Sequence, residues 1–194
     1  IANMNQSNLS EHTKKGTKVF IRKFYKFIRG VEGKGNYPPE VDWYTVTISN
    51  SNKKIPEELL TEKEMFDLIK AGKTDRDRAL LSVLCESGCR VGEIGSMQIK
   101  HLTFEEYGAR INVNGKTGMR KILVIRSTPY LQSWLNSHYL REDLDAPLWI
   151  NYKNNILSYS SISDILKNCA KRAKIKKRIY PHLLRHSRAT LMAK

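Results

Sequence analysis

The sequence predicts an α+β fold, mostly α, with one small antiparallel β element. Three observations carry this. Apolar residues recur at helical spacing through most of the 194 residues. Only one stretch, residues 109–125, alternates or runs apolar like paired strands, and it folds about a glycine-bounded tip. The regular strand–helix alternation of a doubly wound sheet is missing.

The elements follow in order. Residues 9–29 read as a basic amphipathic helix. Phe20, Phe24, Phe27 and Ile28 form one stripe, and Lys15, Lys18, Arg22, Lys26 and Arg29 form another. The apolar stripe lacks an obvious partner nearby, so the helix reads as the last piece of a larger N-terminal domain. Gly30, Gly33, Gly35, Pro38 and Pro39 end it, and 49–58 is a polar linker. The main domain, 59–194, opens on a capping box in which Thr61 caps and Glu64 reaches back. Met65, Leu68 and Ile69 face inward. A second helix, Asp75 to Ser87, carries Leu80, Leu81, Val83 and Leu84 and stops at Gly88; a third begins at Arg90. Residues 109–113 and 121–125 are the strands, and Asn114 to Gly118 is the hairpin tip. Residues 128–139, 161–173 and 182–193 are helical, and 147–150 is a short extended piece.

Charge narrows the function. The chain carries a net +15. Residues 165–194 hold ten Lys or Arg and no acid, and residues 1–38 hold eight against two acids, leaving the middle nearly neutral. Two basic ends around a neutral body suit a polyanion, with nucleic acid well ahead of a membrane or an acidic protein. No run is apolar enough to span a bilayer, so no membrane partner is expected. The N-terminus lacks a signal-peptide core, and the three cysteines, an odd number, suit a reducing, cytoplasmic setting. Cys85 and Cys89 read as small core side chains rather than a metal pair, since no partners stand at zinc spacing. No cofactor and no metal are expected.

Three separated sites can handle a phosphate. Arg90 begins a helix, where free N–H groups and the dipole favour anions. Lys116 sits at the hairpin tip, where a long cation can reach a neighbouring site. His182 and Arg185, three apart, share a helix face near the end of the most basic stretch. Each alone has a bland reading: a salt bridge, a solvated lysine, a packed histidine. Together they compose a metal-free phosphoryl-transfer site. Two arginines clamp the non-bridging oxygens, a lysine protonates the leaving oxygen, and a histidine assists as general acid or base.

With those residues in hand, the sequence resembles the tyrosine recombinases, or phage-type integrases, over about residues 55–194 and more weakly over 9–45. Residues 84–94, around Cys89-Arg90-Val91-Gly92-Glu93, resemble the family's first-arginine box. Residues 115–121, around Lys116, resemble its β-hairpin lysine segment. Residues 182–190 resemble its His-x-x-Arg box. Tyr107-Gly108-Ala109, Ala146-Pro147-Leu148-Trp149 and His186-Ser187-Arg188-Ala189-Thr190 look most like the archaeal integrase branch, with viral genome integration as its role.

The resemblance implies a catalytic domain over 59–194 and the C-terminal part of a helical core-binding domain over 1–48. It implies cleavage and rejoining of double-stranded DNA through a 3′-phosphotyrosyl intermediate, by a homo-tetramer on two sites. Arg90 and Arg185 would hold the scissile phosphate, Lys116 would be the general acid and His182 would assist. Glu93 would brace the site, and His186 would serve packing or hydrogen bonding. Lys15, Lys18, Arg22, Lys26, Lys177, Arg178 and Arg188 are the expected DNA contacts. The family places its nucleophilic tyrosine after the His-x-x-Arg box, yet residues 187–194 contain none and Tyr180 precedes the box. The expectation is a chain truncated before its nucleophile, monomeric by itself, which binds DNA but does not cut it. The alternatives are a non-cleaving DNA-binding regulator or split-integrase remnant, and a type IB topoisomerase-like enzyme.

Overall fold

The computed structural model describes residues 2–46, 58–115 and 118–193. They fall into two compact units, Ile1–Lys54 and Ile55–Lys194. The linker expected at 49–58 lies almost wholly outside the described residues.

The first unit contains α1 (Ala2–Gln6), α2 (Glu11–Ile28) and α3 (Pro39–Asp42). Ser10 caps α2, its hydroxyl accepting from the Thr13 amide at 3.2 Å. Gly30, at φ 61°, turns the chain away after α2. The following segment folds back along the helix, because Arg22 holds it there. Arg22 donates to the carbonyls of Val41 (3.1 Å), Asp42 (3.4 Å) and Tyr44. Its guanidinium also lies over the rings of Tyr37 and Tyr44, 4.5 and 4.8 Å from their centroids. Lys26 donates to the Gly33 carbonyl. Arg22 and Lys26, which the sequence reading gave to DNA, thus also tie the 31–46 segment to α2. Phe20, Phe24 and Phe27 remain 69%, 50% and 85% exposed.

The second unit is built around α5 (Asp75–Ser87), with α4 (Glu62–Lys70), α6 (Val91–Gly95), α7 (Thr128–Asn136), α8 (Tyr159–Arg172) and α9 (Pro181–Met192) about it. Leu80, Leu81, Val83 and Leu84 of α5 are all buried, so this helix has apolar neighbours on nearly every side. Thr61 and Glu64 form the expected capping box at the start of α4. Thr74 caps α5 through the Asp77 amide at 3.1 Å. Gly88 ends α5 in the left-handed conformation, at φ 58°. Pro181 stands in the first turn of α9, where its missing N–H costs nothing.

The sheet has the order β1-β2-β3 and is antiparallel throughout. Strand β2 (Gly108–Gly115) pairs with β3 (Gly118–Val124) from Ala109↔Val124 to Gly115↔Gly118. Strand β1 (Leu102–Glu105) is an addition to the sequence reading. Four half-exposed residues give too short an alternation to stand out. The helix expected over 128–139 ends at Asn136. Buried His138 turns the chain there, its Nδ1 accepting from the Leu140 amide and its Nε2 lying 3.1 Å from the Pro147 carbonyl. Cys85, Cys89 and Cys169 are buried free thiols, and burial pushes Cys85 up to about 12. No helix among the described residues is long and apolar enough to cross a membrane.

One carboxylate fastens α5 to the end of the sheet. Glu86 accepts from the amides of Ile125 (2.8 Å), Arg126 (3.0 Å) and Ser127 (2.8 Å), and from the Ser127 hydroxyl (2.6 Å). These donors hold its pKa below the ordinary carboxylate value although burial alone would raise it. Glu86→Ala is expected to lower the unfolding free energy by about 2–4 kcal/mol, since it strands four donors at once. Urea unfolding of the purified chain measures this, and a loss within error would show that the turn holds without Glu86.

Candidate active site

The site grows from the turn between α5 and α6. Gly88 reverses the chain, Cys89 tucks into the core, and Arg90 becomes the cap of α6. The sequence argument placed an anion at a helix start. In the structure α6 has five residues, and the Arg90 amide at its start donates to Glu93 Oε2 at 2.9 Å. What positions Arg90 is the Glu93 carboxylate itself. Arg90 Nη1 donates to Glu93 Oε1 at 2.9 Å, while the arginine side chain stays 42% exposed.

Glu93 is only 5% exposed and is engaged by a second arginine. Arg120, on β3, donates Nη1 to Oε1 at 3.2 Å and Nη2 to Oε2 at 2.6 Å. Its Nη2 also lies 3.5 Å from the Cys89 sulfur. The two-pronged Arg120 contact, helped by the Arg90 amide and guanidinium, outweighs burial and lowers the Glu93 pKa to about 2. Sequence reasoning gave Arg120 no role. A signal existed: Arg120, Ile122 and Val124 share the inward face of β3, and a charge ending an apolar row calls for a buried counter-charge.

The hairpin presses on the same carboxylate. A Cβ on Gly115 would stand 2.3 Å from Glu93 Oε1 and 3.0 Å from Arg120 Nη1, so only glycine fits there. Lys116 follows directly in the chain and lies, with Thr117, outside the described residues.

Helix α9 is stitched to the same turn. Arg185 Nη1 donates to the Gly88 carbonyl at 2.7 Å, two positions before Arg90. One helical turn on, Arg188 Nε donates to the Glu86 carbonyl at 2.9 Å. Between them the buried Ser187 hydroxyl accepts from the Leu60 amide at 2.8 Å. Arg185 is half-buried, and His182 is exposed in the first turn, three residues away on the same face. His186 is exposed on α9. The structure thus brings Arg90, Glu93 and Arg185 around one turn and adds Arg120.

The expected outer contacts divide. Arg188 holds the end of α5. Lys177 donates to the Leu59 carbonyl and to Glu64, both at 2.7 Å, which ties it to the start of α4. Arg178 is exposed and lines a cleft of about 640 Å³ with Lys177, Glu58, Tyr180 and Leu183. Lys15 and Lys18 are half-exposed on α2. Among the described residues no cluster of His, Cys, Asp and Glu side chains is arranged to hold a metal ion.

Comparison with known proteins bears on this constellation. The model of the phage integrase family matches residues 58–194, which contain every one of these site residues except those of α2. The chain belongs to the phage integrase family. Its relatives include tyrosine recombinase XerD of Bifidobacterium longum, 27% identical over 208 residues, covering 98% of this chain and 65% of that protein. Tyrosine recombinase XerC of Pelobacter propionicus is 31% identical over 134 residues, covering 68% of this chain and 41% of that one. The chain therefore spans less than two thirds of the length of these two relatives. Among solved structures, XerA recombinase superposes with a TM-score of 0.63 at 27% identity, over 95% of this chain and 62% of that chain. XerH site-specific recombinase bound to palindromic difH substrate, a post-cleavage complex, has a TM-score of 0.74 at 23% identity, over 97% and 56%. The latter likeness speaks for the integrase fold alone.

The Glu93 pKa sets a pH dependence. The folded value, about 2, lies below the ordinary 4.5, so the stabilisation is complete above about 4.5. It is lost as pH falls from there towards 2. At about 1.4 kcal/mol per pKa unit, the contribution is on the order of 3 kcal/mol. The stability gap between the natural chain and Glu93→Gln should narrow steadily between pH 5 and pH 2 in urea titrations (~3 kcal/mol at most). A gap constant over that range would refute the arginine-held carboxylate.

Proposed function

We propose that this integrase-family chain is part of a site-specific DNA recombinase that cleaves and rejoins DNA through a 3′-phosphotyrosyl intermediate. The observation that carries this is the gathering of Arg90 and Arg185 at one turn, with Glu93 fixing the first and the Gly88 carbonyl the second. Two guanidiniums so held present N–H groups to the non-bridging oxygens of one phosphate, where charge builds in a five-coordinate transition state. Lys116, next in sequence after Gly115, serves as the acid in this reading.

The step balances as follows. A tyrosine hydroxyl forms an O–P bond and passes its proton to His182, which assists as the base. The P–O5′ bond breaks, and the leaving oxygen takes a proton from Lys116 to become a 5′-hydroxyl. Attack by a partner strand's 5′-hydroxyl reverses the sequence and joins new ends.

Further parts of the reading rest on the sequence. The first unit is the end of a core-binding domain, whose Lys15, Lys18, Arg22 and Lys26 contact DNA, as do Lys177, Arg178 and Arg188 of the second unit. The working form is a tetramer on two sites in the cytoplasm. The three segments similar to archaeal integrases support integration of a viral genome.

The test is a suicide DNA duplex incubated with the product of the full reading frame. A denaturant-resistant covalent band is expected. Arg185→Ala should reduce its rate of formation by about 10²–10³, the usual effect of losing one transition-state donor, with DNA binding retained. Near-normal adduct formation by that variant would sink the site assignment. Tight binding without any adduct would favour the non-cleaving regulator, and relaxation at single sites without exchange the topoisomerase-like enzyme. The chain's DNA affinity should also fall steeply with salt, by roughly 10³ or more between 50 and 200 mM, through release of counterions. A flat response would remove DNA as the partner of the basic ends.

A further inference from the structure

We propose that Arg120 is a positioning residue for phosphate cleavage: it seats the lysine hairpin on α6 and keeps Arg90 turned toward substrate. The proposal deepens the recombinase reading and rests on it.

Three observations lead there. First, Arg120 is the only cation of β3 among the described residues that reaches Glu93, and it takes both carboxylate oxygens. Arg90 is thereby left with a single side-chain bond to Oε1. Two arginines share one negative charge, so the cluster keeps a net positive charge facing the exposed side of Arg90. Without Arg120, Glu93 would have room for a two-pronged grip on Arg90 and would draw it back from an anion. Second, Arg120 couples two elements. It sits on β3 opposite Val113 of β2, while Glu93 belongs to α6. Its bonds fasten the end of the hairpin to the helix that Arg90 caps. Third, Gly115 packs against both partners: a Cβ built on it would stand 2.3 Å from Glu93 Oε1 and 3.0 Å from Arg120 Nη1. The residue next in sequence is Lys116. Moving the Arg120–Glu93 pair would shift Gly115, the residue that precedes Lys116 in the chain.

Arg120 touches no reacting atom in this scheme. It acts through Lys116 and Arg90, and its loss should look like a misplaced acid. Leaving-group chemistry separates that from simple damage. A 5′-bridging phosphorothiolate places sulfur at the leaving position, and a thiolate departs without needing a proton.

The experiment uses the product of the full reading frame with two suicide duplexes, one with the natural 5′-oxygen and one with 5′-sulfur. Arg120→Ala, Arg120→Gln and Arg120→Lys are compared with Lys116→Ala in single-turnover cleavage, with DNA affinity and thermal melting read alongside. On the oxygen duplex, Arg120→Ala and Arg120→Gln are expected to cleave about 10–100-fold more slowly, the scale of an ångström-sized misplacement. Arg120→Lys should recover part of this. On the sulfur duplex most of the loss should vanish, as for Lys116→Ala. Unimpaired cleavage of the oxygen duplex by folded Arg120→Gln would overturn the proposal. So would a loss that sulfur leaves untouched, which would make Arg120 structural only. Absence of adduct from the unsubstituted protein on both duplexes is a different failure: it removes the recombinase reading, and this assignment with it.

Discussion

The Glu93 carboxylate is the interaction on which the candidate site depends. It is buried, and it accepts four hydrogen bonds, from the Arg90 amide, the Arg90 guanidinium and both prongs of Arg120. A buried charge with one partner is a liability, because desolvation consumes most of the attraction. Here two guanidiniums and a backbone N–H satisfy it, and the pKa near 2 records how firmly. The same carboxylate caps α6, orients Arg90 and provides the wall against which Gly115 stops the hairpin. Cap, clamp and hairpin therefore share one anchor, and none of the three can shift without the others.

A second anchor lies one turn away and acts on different elements. Glu86 gathers the amides of residues 125–127, while its own carbonyl accepts from Arg188 of α9. Arg185 then reaches the Gly88 carbonyl from the same helix. Two acidic residues of one segment, 86 and 93, thus hold the sheet on one side and the last helix on the other. Gly88 must sit between them in the left-handed conformation, for which glycine is suited. Arg188 crowds the same point, 3.3 Å from where a Cβ on Gly88 would be. This short turn is where the separated boxes of the sequence become neighbours.

Much of this was legible beforehand because the signals were local. The capping box at Thr61 and Glu64, the bounds of α5 and the αL stop at Gly88 are written in adjacent residues. The inward residues of α4 and α5 follow from helical spacing. What escaped depends on pairing across the chain. Arg120 matters through a carboxylate 27 positions away. Lys177 reads as a surface cation until Glu64, 113 positions upstream, is placed beside it. Arg22 reads as one step of a basic stripe until three carbonyls from residues 41–44 close around it. A stripe of like charges is a statement about composition, and only the fold decides which members face solvent.

That sorting changes how the positive charge should be understood. Arg22, Lys26, Lys177 and Arg188 are bound to carbonyls or to a carboxylate of the protein and so act as ties. A guanidinium donating to uncharged carbonyls keeps its full charge, so these ties still contribute to the field around each unit while losing freedom to move. Arg185 belongs to the same class: its bond to the Gly88 carbonyl fixes direction without neutralising it. Arg90 differs from Arg185, because its tie is a carboxylate, and a lone carboxylate would cancel its charge. Arg120 resolves that conflict by sharing Glu93 with it. The site thereby obtains both rigidity, which a buried anion supplies, and net positive charge, which a second arginine restores.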